Sequence, residues 1–219
     1  MFAMQQLACA RKRRAVVEFR RARRPTVTLS VELVISAASS KDFPLTGFPE
    51  VAMVGRSNVG KSTLINTLLK KKIARTSAAP GKTRLANYYL IDKAFYLVDL
   101  PGYGYARGGT DSAEAFRGLT TQYFDPALQE GRRLAGVLHL VDGRHPELDS
   151  DGAAHEWLTR TEVAVAVVAT KMDKLKQAER KTNLKRLADA YDTMILPVSV
   201  PESAGLDQIW KLIRRWTHA

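Results

Sequence analysis

The sequence predicts an α/β domain built on a doubly wound, mostly parallel six-stranded sheet with helices on both faces. Three observations point there. Apolar runs of strand length alternate with segments of helical period from Val51 to the C-terminus. Two of those runs, 134–141 and 163–169, are continuous apolar stretches, as suits parallel strands covered on both faces. Between the first short run and the first helical segment stands a glycine-containing connection, residues 55–62, in the place where such sheets turn from strand to helix.

The elements follow in order. Residues 1–25 read as a tail and 26–219 as one domain, long enough to bury a core. Residues 26–35, TVTLSVELVI, alternate polar and apolar before running apolar, as a strand does. A loop with Ser, Gly and Pro leads to Pro49, and 51–54 is a short apolar strand. The stretch 60–71 reads as a helix with Leu64, Ile65, Leu68 and Leu69 on one face. Two strands, 85–91 and 95–98, are joined by Asp92-Lys93, and 113–128 suits a helix after a Gly-rich loop. Helical stretches near 150–159 and 176–190 flank the run 163–169. A last strand, 194–198, precedes a helix that starts near Gly205 and carries Leu206, Ile209, Ile213 and Trp216 on one face.

Charge is unevenly spread. Arg11, Lys12, Arg13, Arg14, Arg20, Arg21, Arg23 and Arg24 against Glu18 give the tail +7 and leave +5 for the rest of a chain whose net charge is +12. A basic tail on a basic domain points to a polyanion such as RNA, or else to a passive solvated extension. Lys70, Lys71, Lys72, Arg132, Arg133, Lys181, Lys185 and Arg186 add cations away from the motifs below. The one cysteine, Cys9, excludes an intrachain disulfide. No apolar run approaches bilayer length, so no membrane partner is expected. The tail's cations follow its weak apolar stretch, the reverse of a secretory signal, and its first serine is Ser30, against an organellar transit peptide. A cytoplasmic location is expected, with an organellar one as the alternative.

Gly55-Arg56-Ser57-Asn58-Val59-Gly60-Lys61-Ser62 fits GxxxxGKS between strand and helix. In that setting backbone N–H groups and the helix N-terminus cradle phosphate, with Thr63 opening the helix behind them. Lys61 brings its charge to the β- and γ-phosphates, and the Ser62 hydroxyl is offered to Mg²⁺. Asp99-Leu100-Pro101-Gly102 ends a strand, where the carboxylate can hold Mg²⁺ through water and the Gly102 N–H can meet the γ-phosphate. The loop between them holds Gly81-Lys82-Thr83, and Thr83 is the candidate to complete the Mg²⁺ shell, with Thr76 and Ser77 as neighbouring alternatives. Thr170-Lys171-Met172-Asp173 ends another strand. There Asp173 can accept from guanine N1–H and N2–H₂, a donor pair adenine lacks, and the Lys171 stem can cover the base. Val198-Ser199-Val200 closes the last strand with a backbone N–H for guanine O6. The order of these motifs predicts a protein that binds GTP and GDP.

GRSNVGKS, ARTSAAPGKT, DLPGYGYA, VDGRHP and TKMD, with the lead-in SAASSKDFPLTGFPE, resemble the EngB (YihA/YsxC) family of bacterial ribosome-biogenesis GTP-binding proteins. The resemblance spans about 31–216. It implies a single GTPase domain that uses Mg²⁺ at Ser62 and Thr83 and reads guanine with Asp173. It further implies a role in late maturation of the large ribosomal subunit, with rRNA as partner, and in normal cell division and septation. A monomer is expected. The basic tail and Val200 depart from the family's pattern.

Hydrolysis is in-line attack by water, with Lys61, Thr83 and Gly102 as the catalytic candidates. Many GTPases place a Gln after DxxG to orient that water; here the position is Tyr103. Slow intrinsic turnover is therefore expected, raised by a partner or a cation. The alternative is a GTP-binding RNA- or ribosome-interaction module of weak activity. Asn58 offers an oxygen that can hold K⁺ beside the phosphates, or one that only ties the loop. Arg56, Arg75 and Arg84 lie near the switches and are expected to face solvent or RNA rather than the reacting phosphate.

Overall fold

A computed structural model of the chain describes residues 29–74, 85–103 and 118–219. Its strands are β1 (Val31–Ala37), β2 (Pro49–Gly55), β3 (Ala86–Ile91), β4 (Phe95–Asp99), β5 (Arg133–Asp142), β6 (Val165–Thr170) and β7 (Met194–Pro197). Its helices are α1 (Lys61–Leu69), a helical stretch over 118–124 here termed α2, α3 (Asp149–Thr159), α4 (Gln177–Ala190) and α5 (Leu206–Thr217). The tail, residues 1–25, lies outside the described residues.

The strands form a seven-stranded sheet in the order β1-β3-β4-β2-β5-β6-β7, one strand more than the six expected. The strand read over 26–35 is β1, at one edge of the sheet, and it pairs antiparallel with β3 from Val31↔Ile91 to Ala37↔Ala86. It begins and ends later than the alternation in 26–35 suggests, because its limits follow this pairing. Since β3 is also antiparallel to β4, β3 alone runs against the other strands. The β3–β4 turn uses Asp92 and Lys93 at φ 48 and 54, the left-handed geometry that suits a tight hairpin.

Continuous apolar runs become the central strands. Every residue of β2 is buried, and it lies between β4 and β5 in parallel register. Alternate side chains serve opposite faces. Val51 and Met53 meet Leu64, Ile65 and Leu68 of α1 and Ile209 and Ile213 of α5 in one core. Ala52 and Val54 join Leu119 and Tyr123 of α2 and Leu158 of α3 in another, and α4 sets Leu187 against Val141, Val167 and Ile195. The long helix read over 113–128 is described only from residue 118; it ends before Pro126 and passes into a short 3-10 turn, Pro126–Leu128.

Arg132 corrects one expectation. It is not a surface cation. Its guanidinium is fully buried, bonds Glu50 at 3.0 and 2.7 Å, and lies 4.7 and 4.5 Å from the ring centres of Phe43 and Tyr123. A buried Arg needs such pairing, and here it clamps the start of β2 to the α2 layer. Lys70, Lys71, Lys72, Arg133, Lys181, Lys185 and Arg186 are exposed as expected.

Candidate functional site

The motifs converge because parallel strands present their C-terminal ends at one edge of the sheet. β2 ends at Gly55 and the chain turns through Arg56 to Gly60 before α1 begins. A Cβ on Gly55 would stand 2.9 Å from the Leu140 carbonyl oxygen. Gly60 caps α1 at φ 107, a backbone region that L side chains rarely adopt. Asn58 takes φ 65, and its side chain is exposed. The Val59 N–H donates to the Arg56 carbonyl at 3.1 Å, closing the loop. The first-turn N–H groups of α1 have no intrahelical acceptors and supply a positive end at this loop. Lys61, buried at that end, forms an ion pair with the Asp99 carboxylate.

Asp99 arrives from β4, whose register sets it beside Met53 of β2. The chain after it continues along the phosphate loop. Leu100 N–H donates to the Met53 carbonyl at 3.3 Å, Tyr103 N–H to Gly55 at 3.3 Å, and Ser57 N–H to Tyr103 at 2.9 Å. Gly102 is thereby pressed onto the loop, where a Cβ would lie 3.1 Å from both the Ser57 nitrogen and its Oγ. Leu100 is fully buried and anchors the turn. The Tyr103 side chain points inward, its hydroxyl 2.9 Å from Asp151 Oδ1 and 2.7 Å from His139 Nε2.

β6 delivers the third motif. Thr170 Oγ1 lies 2.8 Å from the Val59 carbonyl and 3.1 Å from that of Val141, tying this loop to the phosphate loop. Lys171, at φ 58, donates from Nζ to the Asn58 carbonyl at 2.8 Å and to Asp142 Oδ2 at 3.0 Å. Its stem therefore spans from the base loop to the phosphate loop. Met172 N–H donates to the Val198 carbonyl at 3.2 Å, and Ser199 Oγ donates to Asp173 Oδ1 at 3.3 Å, so the two base loops are joined. Within the final loop the N–H of Ser199 goes to Ala204 and that of Ser203 to Val200, while that of Glu202 goes to Ser199 Oγ. Pro201 has none, and the N–H of Val200 is not used by these loop bonds.

Sequence reasoning gave Asp142 no role. It ends the apolar strand β5, as Asp99 ends β4, and that placement was the available signal. Burial raises its pKa, but hydrogen bonds from Arg144 and Lys171 outweigh this and hold the carboxyl well below the usual range. Asp142 thus fixes Lys171 in place. Ser62 and Thr63 follow Lys61 on α1, with Thr63 exposed. Gly81, Lys82 and Thr83 lie outside the described residues, as do Arg75, Thr76, Ser77 and Arg84. Arg56 is half-buried at the phosphate loop. Among the described residues no group of three or more His, Cys, Asp or Glu could hold a metal alone. The hydroxyl of Ser62 and carboxylate of Asp99 are hard oxygen donors of the kind that Mg²⁺ takes together with water and phosphate.

The profile of a family described as 50S ribosome-binding GTPase matches residues 50–171. The probable GTP-binding protein EngB of Alkaliphilus metalliredigens is 40% identical over 184 residues, covering 82% of this chain and 86% of the relative. That of Leuconostoc citreum is 40% identical over 190 residues, covering 84% and 96%. Among solved structures, a probable GTP-binding protein engB aligns with a TM-score of 0.64 at 22% identity, covering 77% of this chain and 98% of that one. The elongation factor SelB of Methanococcus maripaludis, in complex with a GTP analogue, aligns at 0.54 and 18% identity, covering 76% and 33%. At these identities the structural likeness shows the fold.

Proposed function

The chain belongs to the EngB family of GTP-binding proteins, and from that premise we propose that its GTPase cycle is a switch in late assembly of the large ribosomal subunit. It binds GTP and GDP and hydrolyses GTP. No helix among the described residues is long and apolar enough to cross a membrane. We place the protein in the bacterial cytoplasm as a monomer, with cell division and septation depending on its activity.

The observation that carries the switch is the contact of Gly102 with the phosphate loop at Ser57. An N–H beside that loop can sense a γ-phosphate that GDP lacks. Lys61 and the amides of the loop stabilise charge on the phosphoryl oxygens. Mg²⁺, when bound, neutralises further charge on the β- and γ-oxygens; Ser62 and Thr83 would hold it directly and Asp99 through water. Asp173 accepts from guanine N1–H and N2–H₂, Lys171 covers the base and Val200 N–H meets O6. The domain from 26 to 219 holds all these parts, and the tail, 1–25, lies beyond them.

The ribosomal reading is supported by the description of the matching family and by exposed cations at Lys70, Lys71, Lys72, Lys181 and Lys185. Co-sedimentation with large-subunit particles tests it. Binding should be at least several-fold tighter with a non-hydrolysable GTP analogue than with GDP and should weaken steeply with salt, as cations that displace counterions from rRNA require. Removing residues 1–25 should flatten the salt slope without changing GTP affinity. Equal binding in both nucleotide states would overturn the switch.

Asn58 carries a narrower proposal. Its exposed side chain stands at the bend of the phosphate loop, where an amide oxygen can help hold K⁺ and so offset the missing glutamine. Turnover should be faster in KCl than in NaCl at equal ionic strength, and Asn58→Ala should remove the difference. Identical rates in the two salts would leave Asn58 a role in loop structure alone.

A further inference from the structure

Tyr103 stands where a water-orienting glutamine is common, yet its ring is turned into the protein with 6% exposure. A phenol has one proton. The Tyr103 O–H donates to Asp151 Oδ1 across 2.9 Å, a bond that, with the charge of Arg56, favours the carboxylate against the burial that raises its pKa. The Tyr103 oxygen must then accept from His139 Nε2–H across 2.7 Å. This fixes His139 as the Nε2–H tautomer, and its Nδ1 makes no hydrogen bond among the described residues. His139 is fully buried, and burial first and the nearby His155 second lower its pKa to about 3. A neutral ring is therefore maintained, and the chain His139 to Tyr103 to Asp151 has one direction.

The main chain of the same residue is fastened on the other side. Its N–H bonds Gly55 and its carbonyl receives the Ser57 N–H, so Tyr103 joins the phosphate loop to β5 and α3 at once. Gly102 is covalently next to it and touches Ser57. We propose that Tyr103 is a positioning residue for GTP hydrolysis, its buried hydroxyl fastened by Asp151 and His139 so that the Gly102 N–H is held at the γ-phosphate. The residue does not touch the water. It sets the place of the group that reads the phosphate, and nucleotides without that phosphate do not use the restraint.

The test is a pair of variants that cut one bond from opposite ends. Tyr103→Phe removes the donor, and Asp151→Ala removes the acceptor without leaving a buried carboxylate. Each should lower kcat and affinity for a non-hydrolysable GTP analogue about tenfold, the size of one charge-assisted hydrogen bond, while GDP affinity stays within about twofold. The double variant should be no worse than either single, because both cut the same interaction. Melting temperatures measured alongside distinguish this from general loosening, which would weaken GDP and analogue equally. Equal weakening of both nucleotides, additive effects or unchanged kcat would overturn the proposal, and should Tyr103→Phe fail to fold, Asp151→Ala with the same readouts decides. The inference rests on the assignment of Gly102 to the γ-phosphate, which Gly102→Ala tests separately. If that variant keeps full hydrolysis and analogue affinity, the assignment fails; if it loses them while Tyr103→Phe and Asp151→Ala do not, only the role of Tyr103 fails.

Discussion

Lys61→Ala should lower affinity for both GTP and GDP by about 100-fold, since a charge-assisted phosphate contact is worth roughly 1.5–3 kcal/mol. A second effect follows from the ion pair seen here. Lys61 and Asp99 side chains are 9% and 3% exposed, so removing the lysine strands a buried carboxylate. Breaking such a pair from one side costs about 3–5 kcal/mol of stability. The two losses separate in a second variant. Lys61→Ala with Asp99→Asn removes the stranded charge, so it should regain most of the stability and none of the affinity. Titration calorimetry reads the first quantity and denaturant unfolding the second. Near-normal nucleotide affinity in Lys61→Ala would show that the loop at 55–62 is not the phosphate site.

The nucleotide loops were legible because each combines a local pattern with a fixed place in the sheet. A strand buried on both faces leaves a continuous apolar run, so β5 and β6 stood out, and Thr170-Lys171-Met172-Asp173 at the end of β6 was located with it, while Asp142 at the end of β5 was passed over. Lys61 and Asp99 were assigned from motif spacing together with their places at strand ends, and the register Met53↔Asp99 brings them together. What was not legible depends on partners remote in sequence. Arg132 sits in Gly131-Arg132-Arg133, which reads as an exposed turn, and its partner Glu50 is 82 residues away. Tyr103 lies among glycines, with His139 and Asp151 at separations of 36 and 48. Nothing local indicates that its ring turns inward. The bounds of β1 were missed for a related reason. β1 exposes Glu32, Leu33 and Val34, so its membership comes from hydrogen bonds to β3 rather than from a buried pattern, and its bounds follow the pairing.

The loops also restrain one another in a way that bears on specificity. Thr170 holds Val59, Lys171 holds Asn58, and Asp142 holds Lys171. Fastening the loop after β6 to the phosphate loop at two points fixes the span between the proposed base site and the phosphate loop. A nucleotide whose base is poorly matched cannot shift to improve one contact without losing the other.

Asp173→Asn should therefore change base choice sharply rather than blur it. Asp173 is 12% exposed, and Ser199 Oγ restrains one of its oxygens. The substitution preserves shape, and the amide oxygen can still accept from Ser199, so folding should be nearly unchanged. Facing guanine, however, an amide presents an N–H₂ where the base presents N1–H or N2–H₂. Two charge-assisted bonds, each worth roughly 1.5–3 kcal/mol, are replaced by at most one neutral bond and a donor–donor clash. GTP affinity should fall about 1,000-fold on that basis. Xanthosine triphosphate carries an oxygen at C2, which accepts from the new amide, so its affinity should rise as that of GTP falls. Competition against a fluorescent guanine nucleotide measures both changes in one titration series, with ATP as the reference for the unmodified protein. GTP binding within threefold of the parent, or no gain for the xanthine nucleotide, would remove Asp173 from the base site. Equal competition by ATP and GTP in the unmodified protein would remove guanine specificity altogether.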